Sequence, residues 1–162
     1  VCCPGTHAKW VRLTQGRIAG FATWMTGEVF ALLRRHSILA PLLGSEAEAD
    51  ADFAAGVAAS AGGDALGQLF GLRAAALLGH PPKSAASYAS GVLIGAEVRA
   101  ALARFGTGGG DGAPFLIGRP DLCALYAAAL AQVSGQAFPP AHGIDGEEAF
   151  RAGIRAIIRA LA

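Results

Sequence analysis

The order in which two kinds of local pattern follow one another constrains this fold more than any single residue does. The first 25 residues read as short extended runs separated by turn residues. From Thr26 onward, apolar side chains recur mainly at the three-to-four-residue spacing of helices, interrupted by a few short apolar runs. Val1 to Cys3 is a short buried strand stopped by Pro4-Gly5. Lys9-Trp10-Val11-Arg12-Leu13 alternates polar and apolar, Thr14-Gln15-Gly16-Arg17 turns the chain, and Ile18 to Met25 runs back. The opening is therefore expected to be an antiparallel three-stranded meander.

The helical part begins with Thr26, which can cap a helix running to about His36. Further helices are expected over Glu46 to Ala59, Leu66 to Leu78 and Ser84 to Phe105. In the last of these, Ile94, Val98, Ala101 and Phe105 form an apolar stripe, and Gly91 with Gly95 offers a groove for close packing. A glycine-rich connector, Gly106 to Ala113, leads to a buried strand over Pro114 to Gly118. A helix around Leu122 to Val133, a short strand over Gln136 to Ala141 and a final helix from Gly146 to Ala162 complete the order. Phe150, Ile154, Ile157, Ile158 and Leu161 line one side of that final helix. Glu147 and Glu148 stand at its positive end, Arg155 and Arg159 at its negative end. A meander followed by alternating strands and helices predicts an α/β fold, a mixed sheet with helices on both faces.

Length and charge narrow the function classes. A chain of 162 residues makes one domain. Hydrophobic residues at 53% against 15% charged exclude a disordered chain. Thirteen basic and twelve acidic residues, with no long basic run, lack the electrostatic footprint of a nucleic-acid binder. The longest uncharged stretch, Leu122 to Ala141, loses its purely apolar character after Ala131 and is too short to span a bilayer. Cys2, Cys3 and Cys123 form neither a disulfide framework nor a C-x-x-C site and read as reduced, buried thiols of a cytoplasmic protein. His7, His36, His80 and His142 stand far apart, so no metal site is expected. The chain starts at Val1 with residues that already look like core, which suggests a fragment that has lost its neighbour.

Several segments could carry chemistry. Gly108 to Ala113 formally fits G-x-G-x-x-A, but it follows a helix and precedes a strand, the reverse of a dinucleotide site, and reads as a connector. Pro4-Gly5-Thr6-His7-Ala8-Lys9 places a permissive glycine, a hydroxyl, an imidazole and an ammonium just after a strand. Exposed backbone N–H groups in such a turn make an anion-binding nest, and Thr6 and Lys9 suit phosphate oxygens. The same residues also make an ordinary polar β-turn. Glu28 lies in the first turn of a helix, where the dipole alone favours a carboxylate. Glu97 sits in a very apolar helical segment and should find a partner or face a cleft. Gly118-Arg119-Pro120-Asp121 lies where a strand gives way to a helix, a place where α/β sheets bind ligands, although a plain loop with proline at a helix start fits too.

Together, Cys3 to Val11, Phe21 to Glu28, Ser90 to Val98 and Ala149 to Arg155 resemble the 2-dehydro-3-deoxygalactonokinase family of the sugar kinase/actin/Hsp70 superfamily. The P-G-T-H-x-K-W-V and M-T-G-E blocks are the most specific. The resemblance runs the length of the chain but covers only the C-terminal half of the family. It implies a ribonuclease-H-like lobe of a two-lobe kinase over residues 1–162, with a helical insertion at about 27–105 and the N-terminal lobe absent. It further implies transfer of the ATP γ-phosphoryl group to the 6-hydroxyl of 2-dehydro-3-deoxy-D-galactonate, in galactonate breakdown, with Mg²⁺ accompanying the nucleotide. Gly5, Thr6, His7 and Lys9 would then bind phosphate, Gly118, Arg119 and Asp121 would contact the nucleotide, and Glu28 would support a site whose catalytic base lies upstream. The implied partners are the sugar acid, ATP and the missing lobe, with a homodimer also open, and the fragment alone is expected to be inactive. A kinase for another sugar acid and a non-catalytic nucleotide-binding lobe are the alternatives.

Overall fold

A computed structural model of the protein describes residues 1–106, 114–136 and 143–161. Five strands, β1 (Cys2–Cys3), β2 (Ala8–Thr14), β3 (Arg17–Trp24), β4 (Leu116–Gly118) and β5 (Gly143–Asp145), form one mixed sheet in the order β3-β2-β1-β4-β5. β2 runs antiparallel to both β1 and β3, while β1, β4 and β5 are mutually parallel. This is the ribonuclease-H-like arrangement. Among the described residues six α-helices accompany the sheet: α1 (Thr26–His36), α2 (Ala51–Ala59), α3 (Ala65–Leu77), α4 (Ala85–Phe105), α5 (Pro120–Ser134) and α6 (Gly146–Leu161). None of the described helices is long and apolar enough to cross a membrane.

The β2–β3 hairpin turns on Gln15 and Gly16, both at positive φ. Two successive left-handed residues match the right-handed twist of the flanking strands. The skipped register after Arg12 leaves Ala19 unpaired, a bulge that bends the ribbon.

Alternation along the strands gives the sheet two unlike faces. Cys2, Ala8, Trp10 and Leu116 point to one side and are sealed by Phe53 and Val57 of α2, Ile94 and Val98 of α4, and Tyr126 and Leu130 of α5. A second cluster, built from Leu39, Leu43, Leu69, Leu72, Ala89 and Val92, joins α3 and the segment after α1 to the other side of α4. The long α4 is thus shared by both cores. It meets α2 backbone to backbone: a Cβ on Gly91 would fall 2.2 Å from the Phe53 carbonyl oxygen, and one on Gly56 would fall 2.1 Å from that of Tyr88. The close-packing role expected of Gly91 and Gly95 is seen directly.

Several element boundaries differ from the sequence reading, and three of them have a clear local cause. α2 starts at Ala51 rather than Glu46, because the Asp50 carboxylate accepts a hydrogen bond from the Phe53 amide at 2.8 Å and caps the helix there. Thr26 does not cap α1. It is the helix's first residue, and Met25, which precedes it, gives no side-chain cap. α5 begins at Pro120, whose fixed φ suits a first helical position. The strand expected over Gln136 to Ala141 falls almost wholly outside the described residues, as does most of the connector from Gly106 to Ala113. The fifth strand of the sheet is Gly143–Asp145.

Candidate functional site

Because β1, β4 and β5 are parallel, their carboxyl ends lie on one edge of the sheet, where α/β folds gather ligands. Pro4-Gly5 leaves β1 there, Gly118-Arg119 leaves β4 and Gly146 opens α6 directly after β5. The three exits touch. A Cβ on Gly118 would lie 3.3 Å from the Pro4 carbonyl oxygen, and one on Gly146 would lie 3.2 Å from the Gly118 Cα. The two turns singled out in the sequence, more than a hundred residues apart, therefore share one edge. α5 and α6 both start at it, each presenting the positive end of its dipole. Asp145 accepts from the Glu147 and Glu148 amides, both at 3.0 Å, which caps α6.

The first turn is held from outside by α1. The Glu28 amide donates to the Thr6 carbonyl at 2.9 Å. Gly27 presses so closely that a Cβ there would fall 2.5 Å from the Gly5 carbonyl oxygen and 2.8 Å from the Thr6 Cα. The His7 Nε2 and Glu28 Oε2 lie 2.7 Å apart, and the Lys9 ammonium donates to the His7 carbonyl at 2.8 Å. Gly5, Thr6, His7, Lys9 and Glu28 thus lie together in one cluster. The carboxylate of Glu28 is spent on His7 and the ammonium of Lys9 braces the turn.

At the second turn, the Arg119 guanidinium grips Asp121 in a two-pronged pair, with Nη2–Oδ2 at 2.6 Å and Nε–Oδ1 at 3.1 Å. That hydrogen bonding holds the Asp121 carboxyl below its ordinary range. Both side chains are exposed, so the pair contributes little to stability.

Beneath the first turn lies a network that the sequence only hinted at. Glu97 is 2% exposed. Its Oε1 accepts from the Trp10 indole Nε1 at 2.7 Å and its Oε2 accepts from the Tyr126 hydroxyl at 2.8 Å. Burial raises the Glu97 pKa, and hydrogen-bonding side chains around it, Thr26, Trp10 and Tyr126, oppose that shift. Burial, then the nearby Glu97, likewise push the Tyr126 hydroxyl and the Cys2 thiol up, so Cys2 is an inert thiol. A small cavity of about 50 Å³ lies between the network and the turn, bounded by Gly5, Thr26, Gly27, Ser90, Leu93 and Tyr126. A lone carboxylate in an apolar helix announced that Glu97 needs donors. Neither Tyr126 nor the packing role of Gly27 carried any local signal.

Among the described residues no three His, Cys, Asp or Glu side chains gather as metal ligands. Glu28, Asp121 and Asp145 are each committed to a neighbour. The edge therefore suits an anion better than a bare cation: backbone amides, a hydroxyl and an ammonium around one turn, with the starts of α5 and α6 beside it.

A ribonuclease-H-like lobe with an anion-suited turn at the carboxyl edge of its parallel strands is the architecture of phosphoryl-transfer folds. The comparisons with known proteins are specific. The family model for 2-keto-3-deoxy-galactonokinase matches residues 1–157. A Rhizobium meliloti (strain 1021) protein assigned as 2-dehydro-3-deoxygalactonokinase DgoK1 is 42% identical over 174 residues, covering 99% of this chain and 52% of its own length. The Escherichia coli (strain K12) 2-dehydro-3-deoxygalactonokinase is 40% identical over 162 residues, covering 98% of this chain and 53% of its own. A crystal structure from Sinorhizobium meliloti, assigned to the same activity, superposes with a TM-score of 0.85 at 39% identity, over 99% of this chain and 53% of that one. The chain belongs to the 2-keto-3-deoxy-galactonokinase family, a family of sugar-acid kinases. It spans about half the length of the curated relatives it matches.

Proposed function

We propose that this chain is the C-terminal, nucleotide-side lobe of a two-lobe kinase that transfers the γ-phosphoryl group of ATP to the 6-hydroxyl of 2-dehydro-3-deoxy-D-galactonate, in the cytoplasm. The observation that carries this reading is the docking of the Gly5–Thr6 turn between the edge of the parallel strands and the start of α1, in a chain that matches this kinase family over residues 1–157.

In this reading the backbone amides around Gly5, the Thr6 hydroxyl and the Lys9 ammonium face the β- and γ-phosphates. They neutralise charge as it shifts toward the leaving oxygen. Gly5 suits that place because nothing lies within 4 Å of where its side chain would be, so a phosphate can approach the backbone. The His7–Glu28 pair fixes the turn's outer side, which is the support role for Glu28. Gly118, Arg119 and Asp121, on the adjoining exit, contact the adenosine part, and Asp121 keeps the guanidinium oriented. A Mg²⁺ ion bound to the nucleotide would supply charge screening of the phosphates. No residue of this lobe is assigned to coordinate it. The base that takes the hydroxyl proton and most of the sugar contacts belong to the other lobe. The apolar side of α6 and the outer face of the sheet meet that other half of the protein.

The test is a coupled assay on a two-lobe protein of the relatives' length in which this chain supplies the C-terminal half. ATP-dependent phosphorylation of 2-dehydro-3-deoxygalactonate, with no turnover by the 162-residue chain alone, supports the proposal. Turnover only of other sugar acids would move the substrate. Turnover by the isolated chain would overturn the two-lobe assignment.

A further inference from the structure

α3 is apolar all round. From Ala65 to Leu77, Arg73 is its one charged residue. A helix of that composition belongs in an interior, yet only one side of α3 is covered. Leu69 and Leu72 point into the second cluster against α4, and Gln68 accepts a hydrogen bond from the Tyr88 hydroxyl at 3.1 Å. On the opposite side Leu66, Phe70 and Leu77 are 82%, 61% and 73% exposed, and Leu78 extends the patch past the helix end. α3 lies across α4 from the sheet, so this patch and the outer sheet face stand on opposite sides of the molecule.

The open side of α3 has an internal symmetry. Leu66, Phe70, Arg73 and Leu77 follow one another at spacings of four, three and four residues, the pattern of paired helices. Turning the helix end for end exchanges Leu66 with Leu77 and Phe70 with Arg73. A second α3 laid antiparallel would therefore set leucine against leucine at both ends, and a guanidinium over an aromatic ring on each side of the centre, a cation–π contact made twice. A parallel pair would set the two Arg73 cations against each other. Among the described residues Arg73 makes no ion pair and no side-chain hydrogen bond, so its guanidinium is available for such a ring. Gly71 fits the same arrangement. Gly67, one turn earlier, is required by the helix cap, since a Cβ there would fall 2.1 Å from the Asp64 carboxylate, but nothing lies within 4 Å of a Cβ on Gly71. Glycine in an open helix interior destabilises it relative to alanine. Close approach of a second helix at the midpoint of α3 gives Gly71 a reason.

We propose that the open side of α3 is a self-association face, on which a second copy of this chain docks antiparallel about a twofold axis near Gly71 and Leu72. The contact is isologous: each Phe70 meets the partner's Arg73, and each Leu66 meets the partner's Leu77. A helix of this length, about 20 Å, covers less than the roughly 800 Å² per partner of a standard interface. The dimer therefore dissociates on dilution, with a Kd on the order of 10 μM. None of this rests on the phosphate-site reading, because no residue of α3 belongs to the carboxyl edge of the sheet.

The test is sedimentation velocity on the two-lobe protein of the relatives' length, with this chain as its C-terminal half. The wild type should pass from monomer to dimer between about 1 and 100 μM. Leu66→Glu brings an unpaired carboxylate to each end of the contact and should weaken the dimer about 100-fold. Leu66 is exposed, so this variant keeps the fold. Arg73→Ala, which removes both cation–π contacts, should weaken it about tenfold. The direction is read by disulfide formation in air: a mixture of Leu66→Cys and Leu77→Cys proteins should cross-link, and neither should cross-link alone. A wild type still monomeric at about 100 μM, as when the other lobe covers α3, would overturn the proposal. So would a dimer that Leu66→Glu leaves intact, a mixture that fails to cross-link, or a cross-link in either cysteine variant by itself.

Discussion

The two faces of the sheet carry similar numbers of apolar side chains and treat them oppositely. On the inner face Cys2, Ala8, Trp10 and Leu116 are buried under α2, α4 and α5, with glycines drawing helix backbones into contact. On the outer face Val11 is half-buried, while Leu13, Ile18, Phe21 and Ile144 are exposed, Phe21 to 68%. The apolar stripe of α6 is open as well: Phe150 is 68% exposed and Leu161 84%. The inner layer explains why the lobe folds. The outer one shows that folding did not use all the apolar surface the sequence provides, and a patch of this kind marks an interaction face.

The contrast yields graded expectations. Phe53, 1% exposed at the centre of the inner layer, should cost about 4 kcal/mol when cut back by Phe53→Ala. Denaturant unfolding would measure this, and a loss under about 1 kcal/mol would mean that α2 is not packed as described. Gly91→Ala drives a methyl group onto the Phe53 carbonyl and should cost about 2 kcal/mol by forcing α2 from α4. A neutral result would show that the helices sit further apart.

The third expectation concerns pH. Burial raises Glu97 above its ordinary 4.5, so between that value and its folded value the native state binds more protons than the unfolded chain. Stability contributed by this group therefore falls as pH rises through that window. Measured against Glu97→Gln, the wild type should lose ground as pH climbs from 4.5, by at most about 1.4 kcal/mol per unit. A difference that does not change with pH would mean that the donors from Trp10, Tyr126 and Thr26 fully offset burial. The smallest effect belongs to the outer side. In the isolated chain Phe150→Ser should change stability by less than about 0.5 kcal/mol. A cost approaching that of Phe53→Ala would show that the α6 stripe is covered in solution.

Much of this was legible from local pattern. Gly16 in the β2–β3 turn and the stripe of α6 each obey rules that span a few residues, and the elements appeared where those rules put them. The Gly5–Lys9 turn was singled out for its glycine, hydroxyl, imidazole and ammonium after a strand, and Gly118–Asp121 because strand ends in α/β sheets are where ligands bind. Features that depend on distant partners were not legible. Trp10 and Tyr126 lie 87 and 29 residues from Glu97, and no periodicity links them. Thr26 read as a helix cap because a hydroxyl before a helical run usually is one. In the structure it is the first residue of α1 instead. The start of α2 slipped by five residues for a similar reason: Glu46 reaches back to Arg34, and the Glu48 amide is held by Ser87, so the acidic residues before Asp50 serve other elements.

The central claim is that the Gly5–Thr6–His7 turn handles the phosphates in a sugar-acid kinase. The most direct test compares wild-type and Thr6→Val two-lobe proteins in ATP-dependent phosphorylation of 2-dehydro-3-deoxygalactonate. Removing one donor from a site of developing charge should lower kcat/KM on the order of 10²-fold, with the thermal unfolding midpoint unchanged because Thr6 is exposed. An unchanged kcat/KM in an otherwise active enzyme would contradict the claim and remove the turn from the chemistry.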